Sequence, residues 1–137
     1  MKDLYLGLGS NLGNKRENIH KAIEKIAEQI GSVKRQSALI ETEPWGFDSD
    51  NGFVNAAVCV ETDLPAREIL HRTQAIERQM GRTHKSIKGE YHDRIIDIDI
   101  LLYGNETINE DDLVIPHPLM YERDFVMIPL KEINYSV

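Results

Sequence analysis

The stretch IIDIDILLY, residues 95–103, decides how the chain is organised, because it predicts a β-strand with two acids at alternate positions. Side chains two apart on a strand point to the same face, so Asp97 and Asp99 are predicted to project together. The isoleucines between and around them are predicted to point into the core. The run is apolar enough to predict a central strand of the sheet.

The segments around this strand predict two helices and three more strands. Strands are predicted over residues 5–10, 33–43 and 53–62, and helices over residues 16–30 and 65–80. The first helix is predicted from apolar residues at three- and four-residue spacing, which are Ile19, Ala22, Ile23, Ile26, Ala27 and Ile30. Residues 106–115 are predicted to add a small hairpin, followed by a short helical tail.

The predicted order of elements, β-α-β-β-α-β, is that of the ferredoxin-like split βαβ motif. We therefore predict an α+β fold in which both helices cover one face of an antiparallel sheet, with a C-terminal appendage. The other face is then available for a functional site. A chain of 137 residues fits one domain, so residues 1–137 are predicted to form a single domain.

Composition excludes several classes of protein. The chain has 16 basic and 23 acidic residues, and its net charge of −7 argues against nucleic-acid binding. No apolar stretch approaches the roughly 20 residues of a membrane span. The single cysteine, Cys59, lies in an apolar run, which indicates a buried structural thiol rather than a nucleophile. We expect a cytoplasmic monomer with no membrane partner.

Asp97 and Asp99 are candidate metal ligands. Their backbone positions are about 7 Å apart along a strand, and two like charges at that spacing repel each other unless a cation or basic partners compensate. Mg²⁺ binds carboxylate oxygens, keeps several waters and takes its other ligands from substrate phosphates. An Asp-x-Asp pair can equally face solvent at a strand end, so the motif alone leaves both interpretations open.

A cationic stretch precedes the strand. Residues 82–94 contain four cationic side chains against two acids, and these are Arg82, Lys85, Lys88 and Arg94. His84 adds charge when it is protonated. In an acidic chain a locally positive loop suits an anionic substrate, and a loop of this length is typical of a lid that closes over a triphosphate. A solvated charged loop is the alternative.

Trp45, Phe53 and Phe125 are predicted to lie in or beside loops, where large apolar groups need packing partners. Core packing is the usual explanation. A slot that stacks a flat heterocycle is the functional alternative, with Asn55 offering a donor and an acceptor to the ring edge. The glycines of GLGSNLG, residues 7–13, do not indicate a dinucleotide site, because the third glycine is one place too late for G-x-G-x-x-G.

Taken together, the segments resemble the family of 6-hydroxymethyl-7,8-dihydropterin pyrophosphokinases over essentially the whole chain. The matching segments are GLGSNLG (7–13), TEPWG (42–46), FVNAA (53–57), QAIE (74–77), GR (81–82), RIIDIDILLYG (94–104) and IPHP (115–118). The resemblance implies a transferase of folate biosynthesis that moves pyrophosphate from ATP to the hydroxymethyl group of 6-hydroxymethyl-7,8-dihydropterin. AMP is the implied leaving group.

The resemblance also implies roles for individual residues. Asp97 and Asp99 are implied to bind two Mg²⁺ ions that bridge the ATP phosphates. The implied catalytic residues are Arg82, Arg94 and Asp97. The residues implied to bind ATP are Gln74, Glu77, Arg82, His84, Lys85, Arg94, Ile100, His117 and Arg123. Those implied to bind the pterin are Thr42, Glu43, Trp45, Phe53, Asn55 and Phe125, with the two phenylalanines sandwiching the ring.

Two features differ from the family pattern. The family often reads Arg-Trp-Gly-Pro-Arg before the acidic strand, whereas residues 88–94 read KGEYHDR here, longer by about two residues. His84 stands where the family has an arginine. The alternative from another class of protein is a non-catalytic small-molecule-binding regulatory module of ferredoxin-like fold, which needs neither the paired acids nor the cationic lid.

Overall fold

A computed structural model describes residues 1–42, 52–81 and 95–134. Within these ranges the strands are β1 (Lys2–Ser10), β2 (Ser32–Gln36), β3 (Ile40–Thr42), β4 (Phe53–Thr62), β5 (Asp97–Tyr103), β6 (Ile108–Glu110) and β7 (Leu113–Ile115). The helices are α1 (Lys15–Gln29), α2 (Ala66–Gln79) and α3 (Asp124–Ile133), with a 3₁₀ turn at Met120–Glu122. The predicted α+β class, the hairpin and the helical tail are confirmed.

The ends of the first two helices follow from local chemistry. α1 begins after Asn14, whose side-chain oxygen accepts the backbone N–H of Glu17 at 3.2 Å. α2 follows Pro65, and Gly81 ends it at φ +105°, a conformation that suits glycine. Both helices therefore begin and end within one or two residues of the positions that the sequence predicts.

The main sheet is antiparallel, in the order β2–β4–β1–β5, and β3 continues the β2 edge along β4. The prediction that residues 95–103 form a central strand is wrong. Among the described residues, β1 is the only strand that pairs with β5, so β5 lies at an edge. Its sequence is largely apolar because one face packs on the helices and the C-terminal cluster covers the other face around Leu101, which leaves Asp97 and Asp99 half-exposed in the first half of the strand.

The predicted single strand over residues 33–43 is also wrong, since it is broken into β2 and β3. Between them, residues 37–39 lie opposite two residues of β4, which is the geometry of a β-bulge. Ser37 restores the pairing there, because its hydroxyl oxygen accepts the Ala57 N–H at 2.9 Å. The Ser37 N–H in turn donates to the Ala57 carbonyl at 2.9 Å.

The larger core lies between α1, α2 and one face of the sheet. Its residues include Val54, Ala56, Val58 and Val60 of β4, Ile98 and Ile100 of β5, and Ile96 directly before β5. The inward orientation predicted for the three isoleucines is thus confirmed. Ala27 of α1, predicted to face the core, is exposed instead. It follows the buried Ile26 by one position, which turns it about 100° around the helix.

The opposite face of the sheet carries α3. Its apolar side chains, Val126, Met127, Leu130 and Ile133, pack on Tyr5, Ala57, Cys59 and Leu101. Cys59 is fully buried in this second core, as predicted for a structural thiol. None of the helices in the described part of the chain is long and apolar enough to cross a membrane.

Candidate active site

The polar side chains with functional chemistry lie in rows across the face of the sheet that carries α3. Asp97 on β5 lies opposite Gly9 on β1, and Gly9 lies opposite Asn55 on β4, so the three form one row. Asp99 lies opposite Gly7 in the next row. Adjacent strands are about 4.8 Å apart, which places the backbones of Asp97 and Asn55 about 10 Å from each other.

The centre of the first row has no side chain. A methyl group built at Gly9 would lie 3.0 Å from Asn55 Oδ1 and 3.4 Å from Phe53 Cδ1. The Asn55 amide and the Phe53 ring therefore lean over the glycine backbone from β4. Gly9 is itself buried beneath them, and its lack of a side chain is what lets the amide and the ring pack on the β1 backbone beside Asp97.

Asp97 and Asp99 are both half-exposed on this face. Each lies opposite a glycine, so the neighbouring strand adds no side chain that would fill the space beside the carboxylates. In residues 1–42, 52–81 and 95–134, no group of three or more His, Cys, Asp or Glu side chains could hold a metal ion. Two carboxylates nonetheless fit Mg²⁺, which commonly binds one or two carboxylates and completes its shell with water and substrate phosphates.

The outer edge of β5 faces α2. Glu77 is buried, at 7% exposure, and its Oε2 accepts the backbone N–H of Ile98 at 2.8 Å. The Ile98 N–H therefore points away from β1. Because the N–H and C=O groups of successive residues point to alternate edges of a strand, those of Ile100 also point away from β1. The Ile100 side chain lies in the larger core, so any contact that Ile100 makes with a nucleotide has to use its main chain. Gln74 lies half-buried one turn before Glu77 on α2.

His117 lies beside the end of β5, where its backbone N–H donates to the Leu101 carbonyl at 3.0 Å. Burial lowers the pKa of the His117 imidazole, the positive charge of Arg123 lowers this pKa further, and the negative charge of Asp97 opposes both. The Leu119 N–H donates to Nδ1 at 3.4 Å. The lowered pKa favours the neutral ring, and the hydrogen bond accepted by Nδ1 favours the tautomer with its proton on Nε2. Nε2 is therefore the atom that can donate to a ligand.

Arg123 and Phe125 lie at the start of α3. The Arg123 Cζ is 5.7 Å from the centroid of the Phe125 ring, within the range of a cation–π contact. Phe125 packs, half-buried, against the second core. Phe53 is two residues before Asn55 on β4 and shares its face. Both rings therefore lie on the same side of the sheet as Asp97, as the interpretation of a stacking slot requires.

Two helix residues that the sequence did not single out hold the backbone around this site. Lys15 Nζ donates to the carbonyl of Gly52, directly before Phe53, at 3.1 Å. Asn18 Nδ2 donates to the Leu12 carbonyl at 2.8 Å, in the turn after β1. The Lys15 contact joins residues 37 positions apart, so no local pattern could have predicted it.

The remaining site predictions fall at the limits of the described residues. Glu43, Trp45, Arg82, His84, Lys85 and Arg94 lie outside them, and their roles stay predictions. Thr42 is the last residue of β3 and pairs in register with Phe53. The main chain of Thr42 is therefore adjacent to the predicted stacking position.

Comparison with known sequences identifies a family. The sequence model described as 7,8-dihydro-6-hydroxymethylpterin-pyrophosphokinase (HPPK) matches residues 5–135. The chain is 47% identical over 134 residues to the 2-amino-4-hydroxy-6-hydroxymethyldihydropteridine pyrophosphokinase of Porphyromonas gingivalis, covering 97% of this chain and 91% of the relative. Proteins of the same name from Aquifex aeolicus and Bacillus subtilis are 39% identical, covering 100% and 97% of this chain and 83% and 78% of the relatives.

Solved structures show the same fold at lower identity. A crystal structure of HPPK-DHPS with substrates has a TM-score of 0.72 at 16% identity over 96% of this chain. Plasmodium falciparum HPPK-DHPS with pteroate has a TM-score of 0.73 at 17% identity over 95% of this chain. This chain spans only 40% and 38% of those two chains, and their likeness concerns the fold alone. On the match over residues 5–135 and the relatives at 39–47% identity, the chain belongs to the 7,8-dihydro-6-hydroxymethylpterin-pyrophosphokinase family.

Proposed function

We infer that this chain is an ATP-dependent pyrophosphokinase of folate biosynthesis that acts on 6-hydroxymethyl-7,8-dihydropterin. The hydroxymethyl oxygen attacks the β-phosphorus of ATP, the bond from that phosphorus to the α-phosphate oxygen breaks, and AMP leaves as the hydroxyl proton is lost. The observation that carries this inference is the row Asp97–Gly9–Asn55, with Phe53 beside it, in a chain whose residues 5–135 match the family. The row joins an acid suited to a cation-bound polyphosphate with groups suited to a flat ring.

On the polyphosphate side, we propose that Asp97 and Asp99 hold Mg²⁺, with two ions expected. The ions would neutralise the charge of the phosphates as the bond to AMP breaks. His117 and Arg123 lie beside Asp97, where a neutral Nε2–H and a guanidinium can donate to phosphate oxygens. Glu77 orients the backbone of β5 directly between the two acids, because it accepts the Ile98 N–H.

On the pterin side, we propose that Phe53 and Phe125 stack on opposite faces of the ring and that Asn55 hydrogen-bonds its edge. A side-chain amide carries both donors and an acceptor, which matches the mixed edge of a pterin. Asn55 is 5% exposed and Gly9 lies directly below its Oδ1, so the amide is held at the floor of the site. Thr42, Glu43 and Trp45 are proposed to complete this pocket, as the family resemblance implies.

The nucleotide-side roles of Gln74, Ile100, His84 and Lys85 are proposed on the same resemblance. Gln74 and the outward main chain of Ile100 flank the outer edge of β5, which supports a nucleotide at that edge. Arg82 and Arg94 are proposed to stabilise charge that develops on the phosphates, which is a positioning and electrostatic role rather than a covalent one.

We also propose that the fold is ferredoxin-like. Counting β2 and β3 as one bulged strand, the sheet order is second–third–first–fourth, which is the arrangement of a split βαβ unit with two helices on one face. A single domain over residues 1–137, a monomeric state and a cytoplasmic location remain expectations that accompany this proposal.

The test is the identity of the nucleotide product. Purified protein is incubated with ATP, Mg²⁺ and the reduced pterin alcohol, and nucleotides are separated by ion-exchange chromatography. We expect AMP in amounts equal to the pterin pyrophosphate formed, none without the pterin, and none when a chelator removes Mg²⁺. ATP binding without any AMP at saturating pterin would favour the regulatory module over the enzyme.

A further inference from the structure

Arg35 on β2 connects the sheet to the end of α3. Its Nε donates to the carbonyl of Ile133, in the last turn of the helix, at 3.0 Å. Its Nη2 donates to the hydroxyl of Tyr5 at 3.0 Å and lies 3.5 Å from the buried sulfur of Cys59. One guanidinium thus binds a free helix carbonyl and two groups on the floor of the second core.

A second hydrogen bond reinforces this connection. Glu132 Oε1 accepts the backbone N–H of Ala38 at 3.0 Å, three residues after Arg35 on the same segment. The last turn of α3 is therefore fastened to residues 35–38 at two points. Apolar packing is non-directional and tolerates small shifts of a helix along a sheet, whereas these two bonds define one position.

The fastened segment also leads directly to the pterin side of the site. After the bulge at residues 37–39 the chain enters β3, which pairs with Phe53 and Asn55 on β4. Arg35 lies opposite Cys59, four positions along β4 from Asn55, which is about 13 Å. The ten residues of α3 span about 15 Å, so the helix bridges the row of Arg35 and the row of the active site.

From this arrangement we propose that Arg35 is a positioning residue for the pterin, which holds α3 so that the Phe125 ring stands at stacking distance from Phe53. The proposal rests on the assignment of Phe125 to the pterin site made above. On the ATP side, His117 is held separately by its bond to the Leu101 carbonyl, whereas Arg123 lies at the start of α3 and shares the anchor.

The test compares Arg35→Met with Lys34→Met. Lys34 is the matched control, because it is a cation on the same strand whose ion pairs are with Asp3 and Glu61 rather than with α3. We expect Arg35→Met to raise the KM and Kd for the pterin about tenfold, because loss of the guanidinium's hydrogen bonds to α3 and Tyr5 lets the Phe125 ring shift from its stacking position. The KM for ATP should change less than the KM for the pterin, because Arg123 lies at the start of α3 but His117 is held independently of it, and Arg35→Lys should recover part of the loss.

Coupling to Phe125 separates positioning from a general effect on stability. In a Phe125→Ala background, Arg35→Met should weaken pterin binding no further, because the ring that it positions is gone. The proposal would be overturned if the losses of pterin affinity from Arg35→Met and Phe125→Ala were fully additive. It would also be overturned if Arg35→Met lowered the melting temperature and left pterin affinity unchanged. If Arg35→Met does not fold, Glu132→Ala against Glu132→Gln replaces it, since glutamine keeps the acceptor for Ala38.

Failure of the proposed function gives a different pattern. If Phe125→Ala alone leaves pterin affinity unchanged, the assignment of Phe125 is wrong and the inference on Arg35 falls with it. If Phe125→Ala weakens binding and both Arg35→Met and Glu132→Ala leave it unchanged, only the inference on Arg35 is refuted.

Discussion

Gly9 offers the sharpest test of the site geometry. In Gly9→Ala the new methyl group would stand 3.0 Å from Asn55 Oδ1 and 3.4 Å from Phe53 Cδ1, so the amide, the ring or both have to move. If Asn55 loses two hydrogen bonds to the pterin at about 1 kcal/mol each, pterin affinity falls roughly thirtyfold. Alanine suits a strand better than glycine does, so the free energy of unfolding should change by less than about 1 kcal/mol.

The assay is steady-state release of AMP with varied pterin at saturating ATP, together with urea unfolding. Gly7→Ala is the matched control, because its new methyl group would meet only the Leu101 side chain, at 3.4 Å or more. We expect the KM for the pterin to rise about thirtyfold in Gly9→Ala and no more than a fewfold in Gly7→Ala. Equal, small effects in the two variants would refute the assignment of Asn55 and Phe53, which pack on Gly9, to the pterin site.

The other predictions concern charge and buried polar groups. Asp97→Asn and Asp99→Asn should each lower kcat/KM by at least about a hundredfold while the protein still folds, because each change removes a proposed Mg²⁺ ligand and neither side chain belongs to a hydrophobic core. Unchanged turnover would exclude that residue from catalysis. Glu77→Ala should lower the free energy of unfolding by about 1–3 kcal/mol, because it leaves the buried Ile98 N–H without its acceptor. Glu77→Gln should lower the free energy of unfolding by less, because glutamine keeps an acceptor oxygen. Urea titration of both variants checks the two values. Arg67 on α2 donates to the exposed carboxylate of Asp112 and lowers its pKa. The stability that this contact adds is present above the ordinary pKa of the carboxyl and is lost as pH falls through the lowered pKa. Asp112→Asn should therefore flatten the acid unfolding profile slightly, and an identical profile would contradict this.

Local periodicity predicted most of the secondary structure. β4 begins and ends where the alternation from Phe53 to Thr62 predicts, and α1 and α2 differ from their predicted bounds only at their terminal residues. These elements are predictable because a strand or helix that buries one face must repeat its apolar residues at a fixed period. The shared face of Asp97 and Asp99 follows from the same rule.

Neighbour relations were not predictable in this way. An apolar strand is typical of the centre of a sheet, yet β5 lies at the edge and is apolar because one face packs on the helices and the other is covered around Leu101. The bulge at residues 37–39 has no local signature, since it depends on the register against β4 on each side.

The sequence by itself determined which side chains share a face, and with them the acids, the amide and the aromatic ring that the family chemistry needs. Tertiary structure decided how these groups meet: Gly9 lies beneath Asn55 and Phe53, Glu77 lies behind the backbone of β5, and Arg35 lies at the end of α3. The physical reason is that periodicity records burial within one element, whereas contacts between residues far apart in the chain depend on strand order, register and helix placement.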